Sequence, residues 1–206
     1  MRRREREKRP ARPEQQKSSL PRILVVCEGL ITEKEYIKGL AMSCRNPRVD
    51  VDIHSGKGAP VSIVEYARDR KLEAIDRASC ERDSNLEYDE VWCVFDIDDH
   101  PNVPSAKQQA KDNSLELAIS NPCIELWLIL HFREQPGAQE RHKLKIMLKS
   151  FVPGYNKHVN FEHYNSGYVD ARRRSEQLDR EANLDADEGR NPTTGVWRLT
   201  ESIREE

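Results

Sequence analysis

Carboxylates end two apolar segments of this 206-residue sequence, and they raise the first question about its chemistry. The stretch VWCVFDIDDH runs from a strand-like apolar segment into Asp96, Asp98 and Asp99, followed by His100. An earlier apolar run, RILVVCEG, ends at Glu28 and a glycine. Carboxylates crowded together repel one another and raise each other's pKa unless a cation lies among them. Oxygen ligands suit Mg²⁺ or Mn²⁺ better than Zn²⁺, so the two segments together predict a divalent-metal site.

The roles within residues 96–100 are not equivalent. Side chains of an extended chain alternate with a period of two, so the first and third residues of Asp-Ile-Asp can face the same way. This favours Asp96 and Asp98 as the metal ligands. Asp99 extends the acidic cluster, and His100 is either an acid, a phosphate contact, an outer partner of the ligands or a plain loop histidine. A solvated turn is the simplest alternative for the whole segment.

The predicted secondary structure would bring these carboxylates to one edge of a sheet. The segments alternate in type, with strands at 22–29, 48–54, 90–96 and 115–120 and helices at 32–44, 61–78, 105–112 and 123–132. Parallel neighbours need a crossover element, so this alternation predicts an α/β fold with a parallel sheet of about four strands. Sites in such sheets lie beyond the carboxyl ends of the strands. In the first helix, Thr32 is the predicted N-cap and Glu35 its capping-box partner.

Composition divides the chain into three regions: a disordered basic tail at 1–20, an α/β domain at 21–132 and a helical C-terminal extension at 133–206 packed on that domain. Residues 1–17 carry eight Lys and Arg against three Glu, whereas the whole chain has a net charge of −2. The basic tail either attracts nucleic acid or is a solvated terminus.

Several features of the sequence predict a cytoplasmic protein with no membrane association. No signal peptide is recognisable, and no apolar segment approaches the roughly 18 residues needed to span a bilayer. The five cysteines show no paired spacing, which fits reduced thiols and no zinc framework. Trp127 and His131 lie in an apolar helix and are predicted core residues.

Two further polar positions follow predicted strands. Lys57 lies between two glycines in SGKGAP, where an ammonium group and backbone N–H groups could contact a phosphate, although the spacing is not that of a Walker loop. Asn121, in SNP, is predicted to shape a strand-to-helix turn, and its chemical role is open. Farther along, the tyrosines and histidines of 155–168 either stack on bases or pack against one another.

Four ordered motifs, VVCEGLITEKEY, VFDIDDH, AISNPCIELWLILHF and NPTTGVWRL, resemble the RloB/AbiLii family of bacterial defence-associated proteins. The resemblance covers roughly 22–132 and 191–199. That family is similar to the Toprim nuclease domain, which has a glutamate after its first strand and Asp-x-Asp after a later one. The resemblance implies a Toprim-like fold in which Glu28 is the Toprim glutamate and Asp96 and Asp98 bind metal.

The resemblance also points to two further acidic positions. Glu33 matches a second acidic position in the Toprim domains of overcoming-lysogenization-defect nucleases. Glu125 corresponds to an acidic residue that follows a later strand in those enzymes, which makes it a candidate metal ligand. The alternatives are a helix-surface charge for Glu33 and a partner of a nearby basic residue for Glu125.

The function we expect is Mg²⁺- or Mn²⁺-dependent hydrolysis of phosphodiester bonds in RNA such as tRNA, or in DNA, by an abortive-infection effector of anti-phage defence. Glu28, Asp96 and Asp98 are the expected catalytic residues. Four basic residues would hold the nucleic-acid backbone: Lys57, Arg141, Lys143 and Lys145. The resemblance implies an ABC-type ATPase as partner protein, and a homo-oligomer is open.

Two other functions fit part of the sequence. The motif VFDID mimics the nucleophile loop of haloacid-dehalogenase phosphatases, although in that family the loop usually lies near the start of the fold. Alternatively, the protein is a nucleic-acid-binding or partner-binding module without catalysis, and its carboxylates hold a structural ion.

Overall fold

The computed structural model describes residues 20–53, 59–97 and 102–204. The predictions for the basic tail therefore fall almost entirely outside the described residues, as do those for Lys57, Asp98, Asp99 and His100. None of the described helices combines the length and apolar character needed to cross a membrane.

Five strands form one sheet, and helices lie between them along the chain. The strands are β1 (Ile23–Cys27), β2 (Val49–Ile53), β3 (Glu90–Asp96), β4 (Glu116–Asn121) and β5 (Thr193–Thr194). The helices are α1 (Thr32–Ser43), α2 (Pro60–Glu81), α3 (Val103–Asp112), α4 (Glu125–Leu130), α5 (Arg141–Phe151), α6 (Glu162–Asn165), α7 (Tyr168–Leu184) and α8 (Val196–Arg204). The sheet order is β2-β1-β3-β4-β5, and the first four strands in the chain are parallel. The predicted α/β fold with a parallel sheet is confirmed.

Burial on both faces explains the unbroken apolar run of β1. All five of its side chains are buried, and they alternate between two cores. Ile23, Val25 and Cys27 join the core that contains residues of α1, α4, α5, α7 and α8. Leu24 and Val26 join the smaller core formed with α2 and α3. A strand covered on both faces has no polar side, which is why its sequence is continuous rather than alternating.

The start of α1 differs from the prediction. The helix begins at Thr32, and the residue in the N-cap position is Ile31, with no side-chain capping bond. The Thr32 hydroxyl donates instead to the carbonyl of Lys157 at 2.9 Å. The Glu35 carboxylate accepts from the backbone N–H of Val159 at 2.7 Å. The predicted capping box is therefore wrong, because the side chains of Thr32 and Glu35 both bond to the backbone of a distant loop.

Residues 133–204 pack on the α/β sheet and also extend it. Leu144, Leu178 and Leu199 lie in the same core as the side chains of β1. In addition, β5 pairs antiparallel with β4 at the sheet edge, an element that the sequence did not predict. A two-residue strand has no periodicity to detect.

Candidate active site

Four carboxylates and three cationic side chains line a pocket of about 340 Å³ at the carboxyl ends of β1 and β3. The acidic residues come from four separate segments, namely the end of β1, α1, β3 and α4, and the basic residues come from the C-terminal region. The acidic residues are Glu28, Glu33, Asp96 and Glu125, and the basic residues are Arg141, Lys145 and Lys157.

The sheet positions Glu28 and Asp96 by direct pairing of their strands. β1 and β3 are parallel neighbours, and their register aligns Cys27 with Val94. The backbone N–H of Glu28 continues this ladder by donating to the carbonyl of Val94 at 3.0 Å. Glu28 therefore leaves the sheet beside the last residues of β3, where Asp96 ends that strand. The expected meeting of the two carboxylates at one sheet edge is what the fold produces.

Asp96 is the most firmly held of these carboxylates. Its Oδ1 accepts from the backbone N–H of Ile124 at 2.9 Å, and its Oδ2 accepts from Nη2 of Arg141 at 2.7 Å. Only 12% of its side chain is exposed. Burial raises the pKa of Asp96 well above its ordinary value, and the Glu33 carboxylate adds to the rise while the Arg141 guanidinium opposes it. One arginine therefore does not balance the negative charge that surrounds Asp96.

Glu33 lies in the first turn of α1 and is 7% exposed, so it is not a helix-surface charge. Its carboxylate fills the space beside Gly29, where an added Cβ would lie 1.9 Å from Oε2 of Glu33. Burial raises the pKa of Glu33, and the nearby carboxylate of Glu125 raises it further. Gly29 is thus the residue that lets the Glu33 carboxylate approach the backbone at the end of β1.

Glu125, the first residue of α4, is 3% exposed and has two partners. Its Oε1 accepts from the Tyr155 hydroxyl at 3.2 Å and lies 3.9 Å from Nζ of Lys145. Glu125 therefore has the basic partner that the alternative prediction gave it. That partner, Lys145, also lines the pocket. A buried carboxylate with these partners can share its second oxygen with a ligand.

The basic residues of α5 divide between two faces of the helix. Arg141 and Lys145 are four residues apart, so they lie on one face and reach Asp96 and Glu125 respectively. Lys143 is more than half exposed, and its Nζ lies 3.9 Å from a carboxylate oxygen of Glu140, outside the pocket. The sequence predicted that Arg141, Lys143 and Lys145 all hold the nucleic-acid backbone, whereas only Arg141 and Lys145 of these three line the pocket.

Tyr155 and Lys157 reach the site from a loop that the sequence offered only as an aromatic segment. Tyr155 is 4% exposed, and Phe161, Tyr164 and Tyr168 are also buried. Of the two predictions for this loop, packing by its own aromatic residues is correct for these four, because their rings are not available to stack on bases. The packed loop fixes the Tyr155 hydroxyl against a site carboxylate.

Two other predicted positions lie apart from the pocket. The side-chain amide of Asn121 donates to the carbonyl of Gly189 at 2.8 Å and so ties β4 to the C-terminal region. His131 is 5% exposed, with Nδ1 at 2.9 Å from the Trp127 carbonyl and Nε2 at 3.0 Å from the Tyr36 hydroxyl. His131 and Trp127 are confirmed as core residues.

A larger pocket of about 460 Å³ lies along β4 and α7. Its partly buried acidic group, Asp179, accepts from Nη1 of Arg198 at 2.7 Å and from the indole N–H of Trp197 at 2.8 Å. These donors balance the charge of Asp179 locally. The candidate site is therefore the acidic pocket at the ends of β1 and β3, where four carboxylates and three cationic side chains line one cavity.

The donors of the acidic pocket suit a hard divalent cation. Carboxylate oxygens are the ligands of Mg²⁺ and Mn²⁺. Burial raises the pKa of both Asp96 and Glu33, and the neighbouring carboxylates add to the rise. Among the described residues, no three acidic, His or Cys side chains converge closely enough to hold a metal ion. Arg141 takes one carboxylate oxygen of Asp96, and Asp98, a predicted metal ligand, lies outside the described residues. The donor chemistry fits the ion, with Arg141 as the cation that contacts Asp96 in this structure.

Comparison with known proteins gives one match. The family model described as RloB-like protein matches residues 23–203, from the first strand to the last helix. No curated protein and no solved structure matches the chain significantly. The family match confirms the resemblance that the four sequence motifs suggested. Because it covers most of the chain, the protein belongs to the family of RloB-like proteins.

Proposed function

We propose that this protein is a metal-dependent nuclease that hydrolyses phosphodiester bonds of nucleic acid, either RNA such as tRNA or DNA. The observation that carries the proposal is the pocket in which Glu28 and Asp96 meet Glu33 and Glu125 opposite Arg141 and Lys145. Acidic groups for a metal and basic groups for a phosphate thus line one cavity. The Toprim-like order of the motifs supports the same chemistry.

The residues that would hold Mg²⁺ or Mn²⁺ are Glu28, Asp96 and Asp98, with Glu125 as a further ligand. When bound, such an ion lowers the pKa of a water molecule and stabilises charge on the phosphate oxygens. The backbone N–H of Ile124 fixes the orientation of Asp96 from the side opposite Arg141. This bond keeps the carboxylate in place during the reaction.

The chain's own cations would bind the substrate. Arg141 offers a planar guanidinium suited to two phosphate oxygens, and Lys145 and Lys157 add positive charge at the same pocket. Glu28 would act as general base or general acid, depending on which oxygen it faces. Burial of the site strengthens each of these interactions, because water screens them less than at an exposed surface.

The biological setting is also a proposal. The resemblance to defence-associated proteins supports a role as an effector of anti-phage defence in the cytoplasm, with an ABC-type ATPase as partner. The net charge of −2 supports the need for a partner or an assembly, since an acidic chain attracts polyanions weakly. A homo-oligomer would meet the same need.

The test is cleavage of RNA and DNA by the purified protein with Mg²⁺ or Mn²⁺, for the wild type and for Asp96→Asn and Glu28→Gln. We expect each substitution to reduce the rate by at least about a hundredfold, because Asp96 would hold the metal ion and Glu28 would transfer a proton, and acid–base catalysis alone contributes about 10²–10⁴-fold. The matched control is Glu116→Gln. It makes the same change from carboxylate to amide at an exposed position, the first residue of β4, at the opposite end of the strands from the pocket.

The same assay separates the alternatives. Cleavage that survives both site substitutions excludes the mechanism. Hydrolysis of a phosphomonoester without cleavage of nucleic acid would favour the phosphatase. Binding without any hydrolysis, with and without an ATPase partner, would favour the non-catalytic module.

A further inference from the structure

Arg141 and Asp96 form the strongest ion pair of the site. Nη2 of Arg141 lies 2.7 Å from Oδ2 of Asp96, and the arginine side chain is 38% exposed whereas the aspartate side chain is 12% exposed. A charged hydrogen bond at this distance is strong. Arg141 is thus the more exposed member of the pair, although Nε of its guanidinium is buried, and the carboxylate is largely covered.

The pair can open without moving Asp96. The other carboxylate oxygen, Oδ1, is held independently by the backbone N–H of Ile124 at 2.9 Å. Arg141 is the first residue of α5, so its side chain can swing while its backbone stays in the helix. Exchange of the guanidinium for another cation therefore requires the Arg141 side chain to rotate away from Asp96, while the bond from Ile124 continues to hold the carboxylate.

The pocket gives Arg141 a second place to bind. An incoming phosphate brings negative charge beside Arg141, Lys145 and Lys157, and a guanidinium binds two phosphate oxygens through parallel N–H donors. A divalent cation, in turn, neutralises Asp96 better than a guanidinium does, because it carries twice the charge.

We propose that Arg141 occupies Asp96 in competition with the divalent cation and transfers to the substrate phosphate when that cation binds. The inference rests on the proposed metal-dependent function. It couples the two ligands: phosphate draws Arg141 away from Asp96 and so strengthens metal binding, and metal binding frees Arg141 for phosphate. By linkage, each ligand changes the affinity of the other by the same factor.

The experiment measures Mn²⁺ affinity of the full chain by titration, with and without inorganic phosphate, which cannot be hydrolysed. For Arg141→Gln we expect Mn²⁺ to bind about tenfold more tightly than to wild type in the absence of phosphate, within the usual range of coupling. We also expect phosphate to increase Mn²⁺ affinity less in this variant than in wild type. Lys143→Gln removes an equal charge from the same helix outside the pocket and should match wild type in both respects.

Arg141→Lys provides a second variant that keeps the charge. An ammonium group lacks the planar fork of a guanidinium, so we expect a smaller effect of phosphate on Mn²⁺ affinity with the fold intact. Unchanged or weaker Mn²⁺ binding by Arg141→Gln, or equal coupling in wild type and both Arg141 variants, would overturn the proposal. The titration does not depend on cleavage, so it tests the exchange of Arg141 separately from the nuclease activity. Coupling in a protein that cuts no nucleic acid would refute the nuclease activity and support the exchange. Cleavage by a wild type without coupling would do the reverse.

Discussion

Acidification should destabilise this protein through His131, an imidazole buried at the end of α4. Its Nδ1 lies 2.9 Å from the Trp127 carbonyl, so Nδ1 carries the hydrogen and donates it. Its Nε2, 3.0 Å from the Tyr36 hydroxyl, is then the acceptor. Both partners thus bind the neutral imidazole, and a second proton would have no acceptor at Nε2 unless Tyr36 turned its hydroxyl away.

The size of the effect follows from the pKa. Burial lowers the pKa of His131 from 6.5 to about 4. As the pH falls between these two pKa values, His131 is protonated in the unfolded chain but stays neutral in the folded chain. The free energy of unfolding therefore decreases. At roughly 1.4 kcal/mol per pKa unit, His131 alone should remove about 2–3 kcal/mol of stability between roughly pH 7.5 and pH 4.5.

Urea unfolding at the two pH values tests this, comparing wild type with His131→Gln. Asp96 and Glu33 have raised pKa values, so their protonation changes stability in the opposite direction, but they are present in both proteins and cancel in the comparison. We expect the wild type to lose about 2–3 kcal/mol more than the variant. His163→Gln, at an exposed position, should lose as much as the wild type. Equal losses in wild type and His131→Gln would refute the reasoning.

Three further substitutions test the packing and the site. Gly29→Ala should displace the Glu33 carboxylate, since the new Cβ would lie 1.9 Å from Oε2. We therefore expect a change in Mn²⁺ affinity. The free energy of unfolding in urea should fall by at most about 1.5 kcal/mol, the cost of an unfavourable rotamer of Glu33. Leu148→Ala, at a fully buried position, should cost about 2–5 kcal/mol, whereas Ile146→Ala, 66% exposed on the same helix, should stay within about 0.5 kcal/mol in the same unfolding assay; equal losses would contradict the assigned face of α5. Tyr155→Phe removes a hydrogen bond to a buried carboxylate and should cost about 1.5–3 kcal/mol in urea unfolding, and an unchanged midpoint would contradict that contact.

Local patterns predicted most of the sheet because each strand carries its own signature. β1 and β3 are covered on both faces, so their apolar runs were recognisable, and the edge position of β2 matches its alternating sequence. The strand pattern placed Glu28 and Asp96 at the ends of β1 and β3. The pairing of these two strands then brings the two carboxylates to the same end of the sheet. In contrast, β5 is too short to leave a pattern, and Thr32 failed as an N-cap because its partner lies 125 residues away.

The remainder of the site depends on contacts that are remote in sequence. Tyr155 reaches Glu125 across 30 residues, and Arg141 reaches Asp96 across 45. No local periodicity encodes which face of α5 or which tyrosine will meet the sheet edge. The roles of Asp98, Asp99, His100 and Lys57 stay predictions from the sequence.

The antiparallel pairing of β5 with β4 has a consequence for synthesis. A ribosome makes the four site carboxylates first, by residue 125, and the cations Arg141, Lys145 and Lys157 later. The strand that closes the sheet edge and the helix that completes the larger core follow last, beyond residue 192. The emerging chain therefore carries four site carboxylates before their neutralising cations are translated, so the pocket is complete only after residue 157 has been made and its sheet only after residue 194.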